Sequence, residues 1–404
     1  MEDMQDKKIE QNRAGHFSFK NINKYEIISI IKFIIVLVPA FILRFALKDI
    51  WIVSERKDQA RDNGYCFFEY LTKKHPERKV YYLIDYNASD YNKVKKLGET
   101  IRFDSWKHYL FFCVSRVHIS AHVGGCCPSN SPICRFLKPI IRYKDVFLPH
   151  GVSYGVSEFC LKKYAKIDLF ITSGKPEYQN VLANYGYSDK QVVYTGFPRL
   201  DKWHNIKIDH NQILLMPTWR LYLAQNPNTI FENTNYFRSY RDLITNAELK
   251  SFLIKNELKM VFYLHHGMQK YVGSFFTDCP NIEIVYKDDI YDIQELLKSA
   301  ALLITDYSSV HFDFAYMGKP VLYYQFDREE FWQKQYKQSG FDAKISGFGP
   351  VAYDLQTLIK NIMQSFNEKF TLQGDYYKNM EKFYVLRDEH NCDRVYLEIV
   401  KRFG

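Results

Sequence analysis

Short apolar runs recur through most of the chain, and longer stretches with helical spacing of apolar residues lie between them. This alternation predicts an α/β protein built on parallel strands. A first series reads as strands at WIVSE (51–55), KVYYLID (79–85), VHISAH (117–122), VFLPH (146–150), DLFITS (168–173) and QVVYTG (191–196). Asp62 stands as the N-cap of a helix through NGYCFFEYLTKKHP, and SWKHYLFFCVSR reads as a helix before the third strand. A second series begins after Trp203, with strands at NQILLMPTW (211–219), KMVFYLHH (259–266), IEIVY (282–286), ALLITD (301–306) and KPVLYYQF (319–326). DIQELLKSA is a short helix, SSVHFDFAYMG is one closed by Gly318, and the tail from 354 to 402 is helical. The polar and aromatic stretch 220–240 reads as an inserted loop. The chain thus divides into a leading segment 1–48, one α/β domain at 49–203 and a second at 204–404.

The leading segment has a different pattern. After a polar start, residues 27–46 (IISIIKFIIVLVPAFILRFA) are strongly apolar. The uninterrupted core, 33–43, is 11 residues long and contains Pro39, whereas a bilayer span takes about 20 apolar residues. Arg44 and Lys48 follow the run and no small-residue cleavage motif does, which argues against a secretory signal. The expectation is a helix lying in the plane of a membrane surface. A buried core helix is the second reading. A span, helped by snorkelling of Lys32 and Arg44, is the third.

Composition narrows the partners. The 404 residues suit two ordinary domains, and 47% apolar with 25% charged residues excludes a disordered or fibrous chain. The 31 Phe, 32 Tyr and 5 Trp suit wet interfaces, ligand walls and membrane surfaces. Fifty-five basic against 46 acidic residues leave a charge of +9, which favours anionic lipid, a phosphorylated substrate or nucleic acid. No helix-turn-helix, zinc-finger or RNA-binding aromatic motif is present, so no nucleic-acid partner is expected. The eight cysteines are scattered without a Cys-x-x-Cys pair. Cys126, Cys127 and Cys134, with His118 and His122, lack zinc spacing, and reduced structural thiols in a cytosol-facing protein are expected.

In open α/β sheets ligands bind beyond the carboxyl ends of the strands, and four such ends here carry chemistry. They hold His150-Gly151, Pro217-Thr218-Trp219-Arg220, His265-His266-Gly267 and Asp306-Tyr307-Ser308-Ser309. Ser308 and Ser309 would open a helix, whose amides and dipole favour phosphate; helix capping is the plainer account of the same residues. Arg220 can fork onto phosphate oxygens; a surface arginine is its plainer reading. His265 or His266 can donate to a diphosphate, with a satisfied, partly buried histidine as the alternative. His150, beside a glycine, suits a general base. Arg199, in GFPRLD, lies between the domains. There is no Gly-x-x-x-x-Gly-Lys loop and no Gly-x-Gly-x-x-Gly, so neither a P-loop enzyme nor a dinucleotide enzyme is indicated.

The run LLITDYSSVHFDFAYMGKPVLYYQFD at 302–327 resembles the CDP-glycerol glycerophosphotransferase family, the teichoic-acid and capsule primases and polymerases. WIVSERKDQARDNGYCFFEYL, DLFITSGKPEYQNVLANYGY, TGFPRLD, MPTWR and GFGPVAYD extend the likeness over residues 50–390. The resemblance implies a GT-B fold, two Rossmann-like domains facing a cleft, held peripherally on the cytoplasmic face of an anionic cell membrane. It implies transfer of glycerol phosphate from CDP-glycerol to a hydroxyl of a lipid-linked polyol-phosphate acceptor, with release of CMP. Carried over by position, His150 matches the family's base, and Arg220, His265, Ser308 and Ser309 match residues near the diphosphate. Asp306 and Asp313 match the motif, with His266 a substitute for His265. LPHGVSYGVSE departs from the Trp-His-Gly and basic stretch of many members, which leaves the acceptor open. No cofactor and no metal are expected, although metal dependence stays open. A CDP-ribitol donor, a sugar-nucleotide glycosyltransferase and a non-catalytic polyanion-binding protein are the competing readings.

Overall fold

The computed structural model describes residues 24–47, 49–128, 133–286, 292–335 and 341–404; the polar tail before residue 24 and Lys48 lie outside them. Two compact units form, one from residues up to Lys202 together with Leu386–Gly404, the other from Trp203–Val385. The expectation divides the chain between 203 and 204; the compact units divide between Lys202 and Trp203, and the last helix lies in the first unit.

The first unit begins with α1 (Lys24–Ala46) and continues through β1 (Ile50–Ser54), α2 (Asn63–Lys74), β2 (Lys79–Ile84), β3 (Thr100–Arg102), α3 (Trp106–Val114) and β4 (Val117–Ser120). After α4 (Ile133–Ile141) come β5 (Lys144–Phe147), β6 (Leu169–Thr172), α5 (Lys175–Asn184) and β7 (Val192–Tyr194). All seven strands are parallel, in the order β3-β2-β1-β4-β5-β6-β7. β1, β4 and β6 are buried along their whole length, as a parallel sheet covered on both faces requires.

The second unit carries β8 (Asp209–Leu215), α6 (Asn235–Thr245), α7 (Ala247–Lys255), β9 (Lys259–Tyr263), β10 (Ile282–Val285), α8 (Ile293–Ser299) and β11 (Ala300–Thr305). There follow α9 (Val310–Tyr316), β12 (Val321–Tyr324), β13 (Val351–Ala352), α10 (Leu355–Asn367) and α11 (Gly374–Phe383). Its six parallel strands run β10-β9-β8-β11-β12-β13. The stretch 220–240 is not the loop expected: a turn of helix forms at Asn228–Phe231, and α6 starts at Asn235 behind the Thr234 cap. Tyr236, Phe237, Tyr240, Leu243 and Ile244 are buried in the core of this unit.

α12 (Asn391–Phe403) closes the first unit. Asp201 accepts from the Asn391 and Cys392 amides at 2.8 and 2.9 Å, satisfying donors at a helix start that have no intrahelical partner. Gly196, at φ +83°, makes room for it, because a Cβ there would collide with the Asn391 side chain.

α1 packs one stripe on α3: Phe33 meets Tyr109 at 4.8 Å and Phe112 at 5.7 Å. Lys32 reaches the Asp104 carbonyl and Arg44 the Ile141 carbonyl. The opposite stripe, with Ile27, Ile28, Ile31, Ile34, Ile35, Val38, Phe41, Ile42 and Phe45, is exposed. A core helix would bury this face, so the second reading fails.

The cysteines need one correction. Cys127 and Cys134 form a disulfide, while the other six remain free and buried. Spacing alone gave no sign of it; their Cα atoms lie 6.2 Å apart. Cys126 instead faces the Ser54 hydroxyl and the Ile119 carbonyl, and His118 the Ser115 hydroxyl.

Candidate active site

Each sheet changes direction of winding once, between β1 and β4 in the first unit and between β8 and β11 in the second. Loops leaving the carboxyl ends of such strand pairs are where ligands bind in this architecture.

In the first unit β1 runs into Glu55, β4 into His122, and β5 into His150. Glu55 is buried and accepts from the amides of Arg61, Asp62 and Tyr65 at 2.7–2.9 Å. Burial lifts its pKa to about 8, with Asp62 adding to the rise and the three amides opposing it. Asp62 caps α2 and pairs with Arg199 at 2.9 Å. Asn63, fully buried, donates to the Pro149 carbonyl at 2.6 Å and accepts from the Arg199 amide at 3.1 Å. His150 and Arg199, far apart in sequence, are thus tied to one helix start.

The His150 ring lies 5.1 Å from that of His122, which accepts from Arg56. Displacement of water by surrounding protein lowers its pKa, the Arg56 and Arg199 cations lower it further, and Asp62 and the Ala121 carbonyl oppose them. The residue is nevertheless exposed, so the desolvation is partial and a hydroxyl can approach. A neutral, accessible imidazole is the form a base needs.

In the second unit Arg220 is not the open phosphate fork expected. It is fully buried. Its Nε and Nη2 hold Asp327 at 2.8 and 3.0 Å, Nη2 holds Asp306 at 2.8 Å, and Nη1 holds the Thr218 carbonyl at 2.8 Å. Asp306, likewise buried, accepts from the Thr218 and Tyr307 amides and the Tyr240 hydroxyl. The physical reason is two carboxylates at neighbouring strand ends, which together outcompete solvent for one guanidinium. This triad locks the loop after β8 to the loop after β11.

The locked loop presents Trp219, which stacks on His265 at 5.6 Å; His266 follows at 4.2 Å. His265 Nδ1 accepts from the Gly267 amide at 3.1 Å. That bond places the proton of the neutral ring on Nε2, which is then a donor. Ser308 is half-buried and Ser309 exposed just before α9, which begins two residues later than expected, at Val310. Asp313 lies on the buried side of α9. The structure therefore joins Arg220 with Asp306 in a brace, His265 with His266 beside it, and His150 with Arg199 in the other unit. Among the described residues no group of three or more His, Cys, Asp or Glu is placed to hold a metal ion. Asp327, Glu55, Asn63 and Glu177 were missed; only their place in quoted motifs marked any of them.

Two Rossmann-like parallel sheets with polar loops at their winding reversals define a GT-B class of fold. The wall teichoic acid polymerase TagF matches it at a TM-score of 0.67, with 12% identity, over 95% of this chain and 99% of that one. A putative UDP-N-acetylglucosamine 2-epimerase from Listeria monocytogenes matches at 0.58, with 13% identity, over 88% and 97%. Identities this low speak for the fold alone. The chain belongs to the CDP-Glycerol:Poly(glycerophosphate) glycerophosphotransferase family, whose model matches residues 36–401. It is 31% identical over 373 residues to the minor teichoic acid biosynthesis protein GgaB of Bacillus subtilis (strain 168), covering 88% of this chain and 40% of that one. With the teichoic acid glycerol-phosphate primase of the same strain it shares 28% over 223 residues, 51% of each. The chain spans about half or less of the length of these two relatives.

Proposed function

We propose that the protein transfers glycerol phosphate from CDP-glycerol to a hydroxyl of a lipid-linked teichoic acid or capsular acceptor, releasing CMP. The observation that carries the reading is the loading of carboxyl strand ends at and beside both winding reversals with the residues a phosphoryl transfer needs. The first unit supplies the base: His150 Nε2 or Nδ1 takes the acceptor proton. The acceptor oxygen attacks the β-phosphorus that carries glycerol; a new P–O bond forms, the bridging P–O bond breaks, and CMP leaves. The second unit supplies donors: His265 Nε2–H and the Ser308 and Ser309 hydroxyls offset charge growing on the phosphate oxygens. Arg220 and Asp306 act behind them, as the brace. Asp313 is buried within α9.

The exposed stripe of α1 supports peripheral attachment to the cytoplasmic face of the membrane. Removing nine large apolar side chains from water is worth on the order of 10 kcal/mol, and the helix lies against α3 along its side. The test of the activity is turnover of CDP-glycerol with a glycerol-phosphate-primed lipid acceptor, run beside CDP-ribitol and UDP-sugars. Ribitol belongs in the assay because a poly(ribitol-phosphate) polymerase of Bacillus spizizenii shares 27% identity over 215 residues. Inactivity with both CDP-alditols sinks the proposal. Activity with UDP-sugars alone replaces it by glycosyl transfer.

A further inference from the structure

The segment that carries His150 has no regular structure of its own. β5 ends at Phe147, and the next regular turn starts at Glu158. Its main-chain partners are few: the Leu148 amide donates to the Ser120 carbonyl, and Tyr154 to Val152 within the segment. A histidine on such a loop is free to wander unless side chains hold the backbone beside it.

Two fully buried polar side chains do so, one on each side. Before the histidine, Asn63 Nδ2 donates to the Pro149 carbonyl at 2.6 Å. After it, Glu177 Oε1 accepts from the Ser153 amide at 2.6 Å, while Oε2 is fixed by the Ser173 amide and hydroxyl at 2.7 and 3.0 Å. Asn180, one turn along α5, donates to the Ser153 carbonyl at 2.9 Å. Tyr185 bonds the Gly155 carbonyl and accepts from the Ser157 amide. We propose that Asn63 and Glu177 are positioning residues that set the His150 turn from both sides. The proposal rests on His150 acting as the base. Burying a carboxylate is costly (burial lifts the Glu177 pKa to about 7), and an apolar residue would hold α5 to the sheet with less penalty. What only a carboxylate does here is accept from Ser173, just beyond β6, and from the His150 loop at once.

The geometry dictates the variants. Asn63→Asp keeps the acceptor for Arg199 and puts an oxygen against the Pro149 carbonyl. Glu177→Gln keeps one acceptor and turns an amide against the other N–H. A displacement of about 1 Å costs about 10²-fold in rate, so kcat should fall roughly that far in each, with the KM for CDP-glycerol little changed. The double variant should fall little further than either single one, since both act through one loop. A readout independent of turnover is the His150 imidazole in the full-length protein, followed by Cε1 NMR with His150→Gln for assignment. Its titration should move upward, toward that of a free imidazole, in both variants. Where either variant fails to fold, Asn180→Ala, half-buried, should show the same shift at smaller amplitude. Wild-type titration and kcat in folded variants overturn the proposal. A fully active His150→Gln, with the His150 titration still displaced in Asn63→Asp and Glu177→Gln, overturns the base reading and keeps the positioning.

Discussion

Replacing Arg220 by Met separates a brace from a phosphate ligand. The substitution removes four hydrogen bonds of 2.8–3.0 Å and leaves Asp306 and Asp327 facing each other with essentially no solvent exposure. Breaking a buried pair by deleting one partner costs about 3–5 kcal/mol, and two orphaned carboxylates put this case near the upper end. For a unit of this size each kcal/mol shifts the midpoint by about 2–4 °C, so thermal unfolding of the second unit should fall by roughly 10–15 °C. Burial already raises the Asp327 pKa against the pull of Arg220; without the arginine the rise grows. A carboxyl raised in the fold stabilises below its unfolded pKa and loses that contribution as pH climbs through its folded pKa. The deficit should therefore shrink from pH 7.5 to pH 5, and Asp327→Asn added to Arg220→Met should recover part of it. Circular dichroism and denaturant titration, with the units followed separately, make the measurement. Unchanged stability with a donor KM raised about a hundredfold would refute the brace and restore the phosphate fork.

His311 is buried with both ring nitrogens unpaired, and burial holds its pKa near 3. His311→Met should stabilise by about 1–3 kcal/mol, and the gain should widen as pH falls from about 6.5, where the unfolded ring begins to take a proton that the folded one refuses; a gain independent of pH argues against the unpaired ring. His108, held near 4 by burial, should add to acid lability in the same direction. Alkylation in denaturant without reductant should label six cysteines, and eight after reduction; eight without reductant removes the Cys127–Cys134 pairing. Val38→Asp with Phe41→Asp should abolish sedimentation with anionic vesicles without lowering the midpoint of unfolding, because both side chains are exposed; retained binding refutes attachment through α1.

The strands were legible because parallel, doubly covered strands are written as continuous apolar runs; the expected ones start within two residues of their place, while β5, β8 and β9 stop three or four residues short of their expected ends. β3 and β13 escaped because three and two residues carry no pattern. α6 escaped because its inward face is largely aromatic, with Tyr236 and Tyr240 read as polar. Residue types at strand ends were legible too; their partners were not. Arg220 at a strand end looks the same whether it meets phosphate or carboxylate, and Asp306 and Asp327 lie 86 and 107 residues away. The return of α12 depends on Asp201, 190 residues earlier. Asn63 and Glu177 are ordinary helix residues until the loop they grip is in view.

Glu55 explains an absence noted in the sequence. In dinucleotide-binding Rossmann folds the amides at the start of the first helix cradle a pyrophosphate, and glycines let it approach. Here those amides already have an acceptor: the Glu55 carboxyl group occupies the Arg61, Asp62 and Tyr65 donors at the start of α2. A glycine is still required, but for the carboxylate, since a Cβ on Gly64 would stand 2.9 Å from both the Glu55 Cγ and the Ser54 carbonyl. The first unit thus keeps the fold of a nucleotide-binding domain with its phosphate cradle filled from within. The neighbouring strand ends carry His122 and His150, whose rings lie 5.1 Å apart. In the second unit β8 enters no helix directly, and its loop is fixed by the Arg220 triad. Neither unit needs a glycine-rich fingerprint to hold its strand-end loops: the first uses the Glu55 carboxyl group and the second the buried Arg220 guanidinium.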